Sequence, residues 1–157
     1  PKKGVVFKDI TPLLESPKDF KKVINLFVEE YKKNKIKKVV VIDARGFLIG
    51  APLAYELGAG IVIARKKGKL PSKTVSCSYD LEYGKAILEI HKSSINPGEK
   101  VLIVDAVLAT GGTALASAKL VEKLGGEIIS IAFLIELGFL KGRDRLKKYN
   151  VLSLIQY

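Results

Sequence analysis

The spacing of apolar and polar positions along the chain predicts strands that alternate with helices. Short apolar runs rich in β-branched residues, typical of buried parallel strands, occupy residues 38–42, 61–64, 101–105, 127–135 and 151–155. Apolar positions recur with a helical period at residues 17–31, 47–57, 114–124 and 141–148. Ser16-Pro17 is a typical helix start, and Gly58 is a typical helix end. The alternation predicts an α/β fold, a parallel sheet flanked by helices that connect its strands through right-handed crossovers.

Residues 71–94 interrupt this pattern and predict a two-stranded flap. Two segments of alternating polar and apolar positions, typical of half-exposed strands, are joined by a turn around Glu82 and Tyr83. Residues 1–16 show little periodicity and are expected to form an irregular arm. Because no linker, repeat or low-complexity segment divides the chain, we expect one domain over residues 1–157.

The stretch from residue 101 to residue 113 carries the clearest chemical signal. Its strand ends on Asp105 and leads into a helix through a loop of small and hydroxyl residues, namely Ala109, Thr110, Gly111, Gly112 and Thr113. Free backbone N–H groups in such a loop favour a phosphate, whereas an acid would repel it and is suited to ribose hydroxyls. A glycine pair alone fits an ordinary strand–helix turn equally well. The acid and the two threonines in register favour a ribose 5-phosphate site.

Composition narrows the range of partners. The formal net charge of +11 favours anionic partners. Much of the lysine lies on predicted solvated helix faces, but the basic block at residues 65–69 follows a strand and contains a glycine. No apolar run approaches the roughly 20 residues needed to cross a bilayer, so we expect no membrane partner. The single Cys77 excludes an internal disulfide framework and favours a cytoplasmic location.

The stretch 101–113 resembles the phosphoribosyl-pyrophosphate (PRPP) motif of the type I phosphoribosyltransferases, and specifically of the adenine phosphoribosyltransferases. The resemblance continues in the family's order and spacing through residues 4–12, 43–47, 65–71, 81–84, 88–91 and 153–157. One position departs from the family. The motif usually has two adjacent acids, and here the second is Ala106.

The resemblance implies a reaction. The 5-phosphoribosyl group would pass from PRPP to adenine, giving AMP and pyrophosphate in purine salvage, with Mg²⁺ carried by PRPP and not by a dedicated protein site. The resemblance further implies a type I phosphoribosyltransferase-like fold in which residues 1–16 form a hood arm. It implies a cytoplasmic homodimer without a nucleic-acid partner.

The resemblance also assigns roles to residues of this chain. Asp105 and the loop 109–113 would bind the ribose and its 5-phosphate. Pyrophosphate would be bound by Arg45, Gly46, Arg65, Lys66 and Lys69. The catalytic candidates at the tip of the flap are Glu82 and Tyr83. Adenine would be contacted by Val6, Phe7, Lys8 and Leu137.

Ala106 leaves several interpretations open. Loss of one charge-assisted hydrogen bond to the ribose costs roughly 1.5–3 kcal/mol. The chain is therefore an active enzyme that relies on Asp105, an engineered variant, or a PRPP-binding regulator without catalysis, whose positive charge suits nucleic acid. A phosphoribosyltransferase for another purine is a further alternative, although residues 5–9 and 81–84 match the adenine branch.

Overall fold

The computed structural model describes residues 9–81 and 83–157. The sequence predictions for Val6, Phe7, Lys8 and Glu82 lie outside the described residues. Within the described part, helices flank one seven-stranded sheet, which confirms the predicted α/β class.

The sheet places its parallel strands at the centre. In chain order the strands are β1 Lys38–Ile42, β2 Gly60–Lys66, β3 Thr74–Leu81, β4 Gly84–His91, β5 Lys100–Leu108, β6 Glu127–Glu136 and β7 Val151–Gln156. Their spatial order is β3-β4-β2-β1-β5-β6-β7, and β2, β1, β5, β6 and β7 run parallel. The helices are α1 Thr11–Glu15, α2 Pro17–Tyr31, α3 Arg45–Leu57 and α4 Gly112–Lys123, with 3-10 segments at Gly138–Leu140 and Gly142–Leu146.

Helices cover both faces of the parallel strands. On one face, Phe27 of α2 and Ile49 of α3 lie in one buried apolar cluster with Val41 of β1. On the opposite face, Leu120 of α4 lies in a second cluster with Val40. Adjacent strand residues point to opposite faces of a sheet, so the continuous apolar run of β1 serves both clusters.

Two helix boundaries confirm the sequence prediction. The Ser16 hydroxyl accepts a hydrogen bond from the Asp19 backbone N–H at 3.2 Å, and α2 begins at the next residue, Pro17. Gly58 ends α3 with a φ of 69°, a left-handed conformation that favours glycine.

The part of the N-terminal arm that the structure describes, residues 9–16, is more ordered than predicted. Thr11–Glu15 forms α1 instead of an irregular segment. The Asp9 carboxylate accepts a hydrogen bond from the Thr11 backbone N–H at 2.9 Å, and Pro12 is tolerated in a first helical turn. These local interactions stabilise one helical turn that has no apolar periodicity.

Strand β5 continues past its predicted end at Asp105. Asp105 lies opposite Phe133 of β6, and Leu108 lies opposite Glu136. Pairing with the long strand β6 therefore keeps the backbone extended to Leu108, and the following loop begins at Ala109.

The predicted flap segment forms an antiparallel hairpin of β3 and β4. The hairpin is continuous with the sheet, because β4 pairs with the end of β2 at Arg65–Glu89 and Lys66–Leu88. This pairing extends β2 to Lys66, beyond its predicted end at residue 64. Movement of the hairpin as a flap stays a prediction.

The short helix predicted near residues 141–148 forms as a 3-10 segment and not as an α-helix. This segment is Gly142–Leu146, and another 3-10 segment, Gly138–Leu140, precedes it. Lys141 between them has a φ of 53°, which is incompatible with a continuous α-helix.

Candidate active site

A cleft of about 570 Å³ opens beyond the carboxyl ends of β1, β2 and β5. Its walls come from residues 42–45, from Lys66 and Lys69, from Tyr79, Leu81 and Leu88 of the hairpin, and from Asp105, Val107, Ala109 and Thr113. A smaller cavity of about 70 Å³ lies at the loop after β5 and shares the last four of these residues. The two spaces are therefore neighbours, and the larger has the volume of an ordinary ligand pocket.

The loop 109–113 has the geometry of an anion cradle. Gly111 has a φ of 88° and caps α4, whose first hydrogen bond joins the Leu115 N–H to the Gly111 carbonyl at 3.0 Å. Helix α4 begins at Gly112, two residues before the predicted position. The first N–H groups of a helix have no partner within it, so those at the start of α4 are available to an anion.

The cradle rests against the second 3-10 segment. A Cβ atom added to Gly111 would lie 2.6 Å from the Gly142 carbonyl oxygen, and one added to Gly142 would overlap the Ala109 carbonyl oxygen. Main chain therefore packs directly on main chain at this point. Sequence reasoning missed Gly142, because the contact joins segments 31 residues apart (142 − 111) and leaves no local pattern.

Asp105 is the carboxylate beside the cradle. Its Oδ1 atom accepts a hydrogen bond from the Ala106 backbone N–H at 2.7 Å. Burial raises the pKa of this carboxyl to about 7, against the opposing effects of that hydrogen bond and of the Arg45 charge. Burial therefore favours the protonated form of this carboxyl more than water does.

Helix α3 approaches Asp105 closely through Gly46. Helix α3 begins at Arg45, two residues earlier than predicted, so Arg45 and Gly46 form its first turn. A Cβ atom on Gly46 would lie 3.2 Å from Oδ1 of Asp105 and 3.0 Å from the Val104 carbonyl oxygen. Glycine at this position thus allows a cation-bearing helix start to reach the carboxylate.

Ala106 faces away from the cleft. Its exposed fraction is 1%, and it lies in the apolar cluster that includes Ile49 and Leu53 of α3. Among the described residues, the carboxylates that line the cleft are Asp43 and Asp105.

Of the four cations predicted to bind pyrophosphate, three line the cleft and Arg65 does not. Arg45, Lys66 and Lys69 line it. Arg65 pairs through Nε with Oδ2 of Asp43 at 3.1 Å, and Nζ of Lys69 lies 4.0 Å from the same oxygen. Asp43 therefore gathers two of the predicted cations, a role that sequence reasoning did not assign to it.

Glu89 holds the basic loop in place and was also missed. This acid, 9% exposed, accepts hydrogen bonds from the Gly68 backbone N–H at 3.0 Å and from Oγ1 of Thr74 at 2.8 Å. These bonds hold the pKa of the Glu89 carboxyl below its usual value. An acid in a strand segment is the signal that could have identified it, but its partners depend on strand register.

We expect Glu89→Gln to raise KM for the phosphate-bearing substrate about three- to tenfold, with little change in kcat. Glutamine has one acceptor for two donors, so one hydrogen bond to the loop is lost. The matched control is Glu99→Gln. Glu99 also accepts a backbone hydrogen bond, from the Asn96 N–H at 2.7 Å, but it directly precedes β5 and so lies at the end of that strand away from the cleft. Equal KM values for the two variants in steady-state assays would contradict this role.

The remaining predicted residues lie apart from the cleft lining. Tyr83 is 89% exposed at the hairpin turn. Leu137 is fully buried, and its backbone N–H donates to the Leu108 carbonyl at 2.9 Å. The catalytic role of Tyr83 and the adenine contact of Leu137 stay predictions.

None of the helices in the described part of the chain is long and apolar enough to span a membrane. Across residues 9–81 and 83–157, no group of three or more His, Cys, Asp or Glu side chains is gathered as a metal-binding set.

Comparison with known proteins places the site in a family context. The family model described as "Phosphoribosyl transferase domain" matches residues 9–156. A protein of Clostridium tetani named adenine phosphoribosyltransferase is 57% identical over 157 residues, which is all of this chain and 91% of that relative.

Solved structures agree with the sequence relatives. Adenine phosphoribosyltransferase from Thermoanaerobacter pseudethanolicus superposes with a TM-score of 0.92 and 52% identity, covering 95% of this chain and 87% of that one. The Saccharomyces cerevisiae enzyme, solved with an imino-altritol bisphosphate and adenine, has a TM-score of 0.89 and 40% identity, covering 92% and 84%.

Proposed function

This chain belongs to the phosphoribosyltransferase family, in its adenine phosphoribosyltransferase branch, and we propose that it catalyses that branch's reaction in the cleft beyond β1, β2 and β5. The reaction transfers the 5-phosphoribosyl group of PRPP to adenine and releases AMP and pyrophosphate, a step of purine salvage. The observation that carries this assignment is the continuity of the phosphate cradle with a cleft lined by both cations and carboxylates.

The cradle and Asp105 would orient the sugar. The 5-phosphate accepts hydrogen bonds from the N–H groups of loop 109–113 and from the Thr110 and Thr113 hydroxyls. Asp105, whose Oδ1 already accepts from Ala106, offers its second oxygen to the ribose hydroxyls. Held at both points, the anomeric carbon would face the cleft, where adenine displaces pyrophosphate.

The cations would stabilise the leaving pyrophosphate. Arg45, Lys66 and Lys69 line the cleft, and Arg65 lies behind them on Asp43. Negative charge builds on the leaving group as its bond to carbon breaks, so fixed cations lower the barrier. Mg²⁺ prefers phosphate oxygens and water to a full protein cage, and we propose that it enters with PRPP. When bound, it would neutralise part of the pyrophosphate charge.

The hairpin and the N-terminal arm would complete the site. Tyr79 and Leu81 already place apolar surface over the cleft, which would help to exclude water. We assign Glu82 and Tyr83 at the hairpin turn to proton transfer at the purine ring. Val6, Phe7 and Lys8 in the hood arm, together with Leu137, would contact adenine. A cytoplasmic location stays a prediction.

Substrate choice tests the assignment directly. We expect AMP from adenine, PRPP and Mg²⁺, with far lower rates for hypoxanthine, guanine and xanthine, measured by chromatography of the nucleotide products. Preferential formation of IMP, GMP or XMP would assign the cleft to another purine.

A homodimer is the proposed assembly. Ile61 and Ile63 lie opposite buried valines of β1, on the sheet face that α3 covers elsewhere, yet they are 48% and 43% exposed. Leu48 and Tyr55 on α3 are also exposed, at 49% and 84%. Exposed apolar side chains on adjacent elements are typical of an interface.

Light scattering tests this assembly. We expect a mass near twice 17.1 kDa for the unaltered chain, and a shift toward one chain for Ile63→Lys. Lys is more costly to bury than Ile, so the substitution weakens an apolar interface. A single-chain mass for the unaltered protein would rule the dimer out.

A further inference from the structure

Arg145 lies beside the phosphate cradle, in a small cavity that Asp80 also lines. A Cβ atom added to Gly112 would lie 3.4 Å from Nη1 of Arg145, so the guanidinium lies against the first residue of α4. Among the described residues, no carboxylate forms an ion pair with Arg145 within 4.0 Å. The positive end of a helix repels a cation, so this placement is unfavourable until an anion binds.

The backbone that carries Arg145 is firmly held. Leu146, the next residue, is fully buried, and Gly142 packs on the cradle. Arg143 donates to Glu136 from Nη2 at 2.7 Å and from Nε at 3.1 Å, and it also donates to the Val151 carbonyl at 3.1 Å. The segment Gly142–Leu146 thus fixes the base of the Arg145 side chain next to Gly112.

We propose that Arg145 is a specificity-determining cation for the 5-phosphate bound by loop 109–113. The cradle itself supplies neutral donors only, namely backbone N–H groups and threonine hydroxyls. Arg145 lines a small cavity with Tyr79 and Gly112 beside the start of α4, and it lines neither the cleft nor the cradle cavity, so it acts on the phosphate through its positive potential. Its attraction is greatest for a dianionic phosphate and absent for the uncharged purine. This inference rests on the proposed function, which assigns the cradle to that phosphate.

Equilibrium binding separates this role from catalysis. We expect Arg145→Gln to weaken AMP binding about three- to tenfold in isothermal titration at moderate salt, with adenine binding unchanged. The AMP affinity of the variant should also fall less steeply as salt rises, because one attractive charge has been removed. Arg145→Lys keeps the charge and is expected to retain most of the AMP affinity.

The matched control is Lys147→Gln, which removes an exposed charge two residues farther along. If Arg145→Gln and Lys147→Gln weaken AMP binding equally, general surface charge explains the effect and the proposal is overturned. Unchanged AMP affinity in Arg145→Gln overturns it as well. A circular dichroism melt of each variant checks that it is folded. Failure of the proposed function is a separate outcome, recognised when the unaltered chain binds AMP yet makes none from PRPP and adenine.

Discussion

Asp105→Asn is expected to lower kcat/KM for PRPP by about one to two orders of magnitude. Asp105 stands beside the cradle, and Ala106 takes the place of the second acid that the family usually has. A charge-assisted hydrogen bond to the ribose contributes roughly 1.5–3 kcal/mol, and asparagine keeps only a neutral acceptor. Steady-state kinetics at varied PRPP and saturating adenine measure the loss.

The pH dependence of kcat/KM for PRPP is a second test of the role of Asp105. The ionised form of Asp105 is the stronger acceptor for the ribose, so kcat/KM for PRPP should rise through a midpoint near the carboxyl's pKa of about 7. This rising limb should be absent in Asp105→Asn. The Arg45 charge opposes the raised pKa, so Arg45→Gln should move the limb to higher pH.

The contribution of Asp105 to the free energy of unfolding should fall as pH rises, whereas kcat/KM should rise. The folded pKa of about 7 lies above the ordinary value of 3.8, so between these pH values the unfolded chain releases a proton that the folded chain keeps. The contribution of Asp105 to stability therefore falls as pH rises from 3.8 to about 7 and stays low above it. Asp105→Asn should remove this decline, which denaturant unfolding at several pH values measures.

The control for the loss of kcat/KM and for its pH profile is Asp19→Asn, at an exposed position near the start of α2. It should leave kcat/KM and its pH midpoint unchanged. A rising limb that persists in Asp105→Asn would show that another group, such as a phosphate of PRPP, governs the profile.

Gly111→Ala is expected to lower kcat/KM for PRPP by about two orders of magnitude and to reduce stability. The added Cβ would lie 2.6 Å from the Gly142 carbonyl oxygen, and the φ of 88° is itself unfavourable for alanine. The cradle must move to relieve the overlap, and its N–H groups lose alignment with the 5-phosphate. Kinetics and thermal unfolding measure the two effects.

The control variant Gly98→Ala separates the effect of backbone strain from the effect of the contact between Gly111 and Gly142. Gly98 has a φ of 83°, close to that of Gly111, but a Cβ atom there would meet nothing within 4 Å. Both variants should lose stability through backbone strain, and only Gly111→Ala should lose PRPP binding. Equal kinetic losses would mean that the contact between Gly111 and Gly142 is unimportant.

Local signals predicted much of this architecture. Ser16 and Gly58 marked the helix ends at which they are found, because capping and left-handed geometry depend on single residue types. The apolar run of β1 predicted a strand buried on both faces, and helices cover both: α2 and α3 pack on one face and α4 packs on the other.

Contacts set by strand register could not be predicted in the same way. Glu89 lies opposite Arg65 because β4 pairs with the end of β2, and that pairing also extends β2. Asp43 binds Arg65 across the carboxyl ends of two parallel strands. The packing of Gly142 on Gly111 depends on how the segment after β6 returns to the cradle. None of these contacts follows from the residues adjacent in sequence.

The most direct test of the central claim is AMP formation by the unaltered chain from adenine, PRPP and Mg²⁺, with PRPP binding measured on the same preparation. We predict that the chain makes AMP, with Asp105 as the acid that binds the ribose, and that Asp105→Asn lowers the rate. PRPP binding without any AMP would contradict the enzymatic assignment and would favour a PRPP-binding regulator.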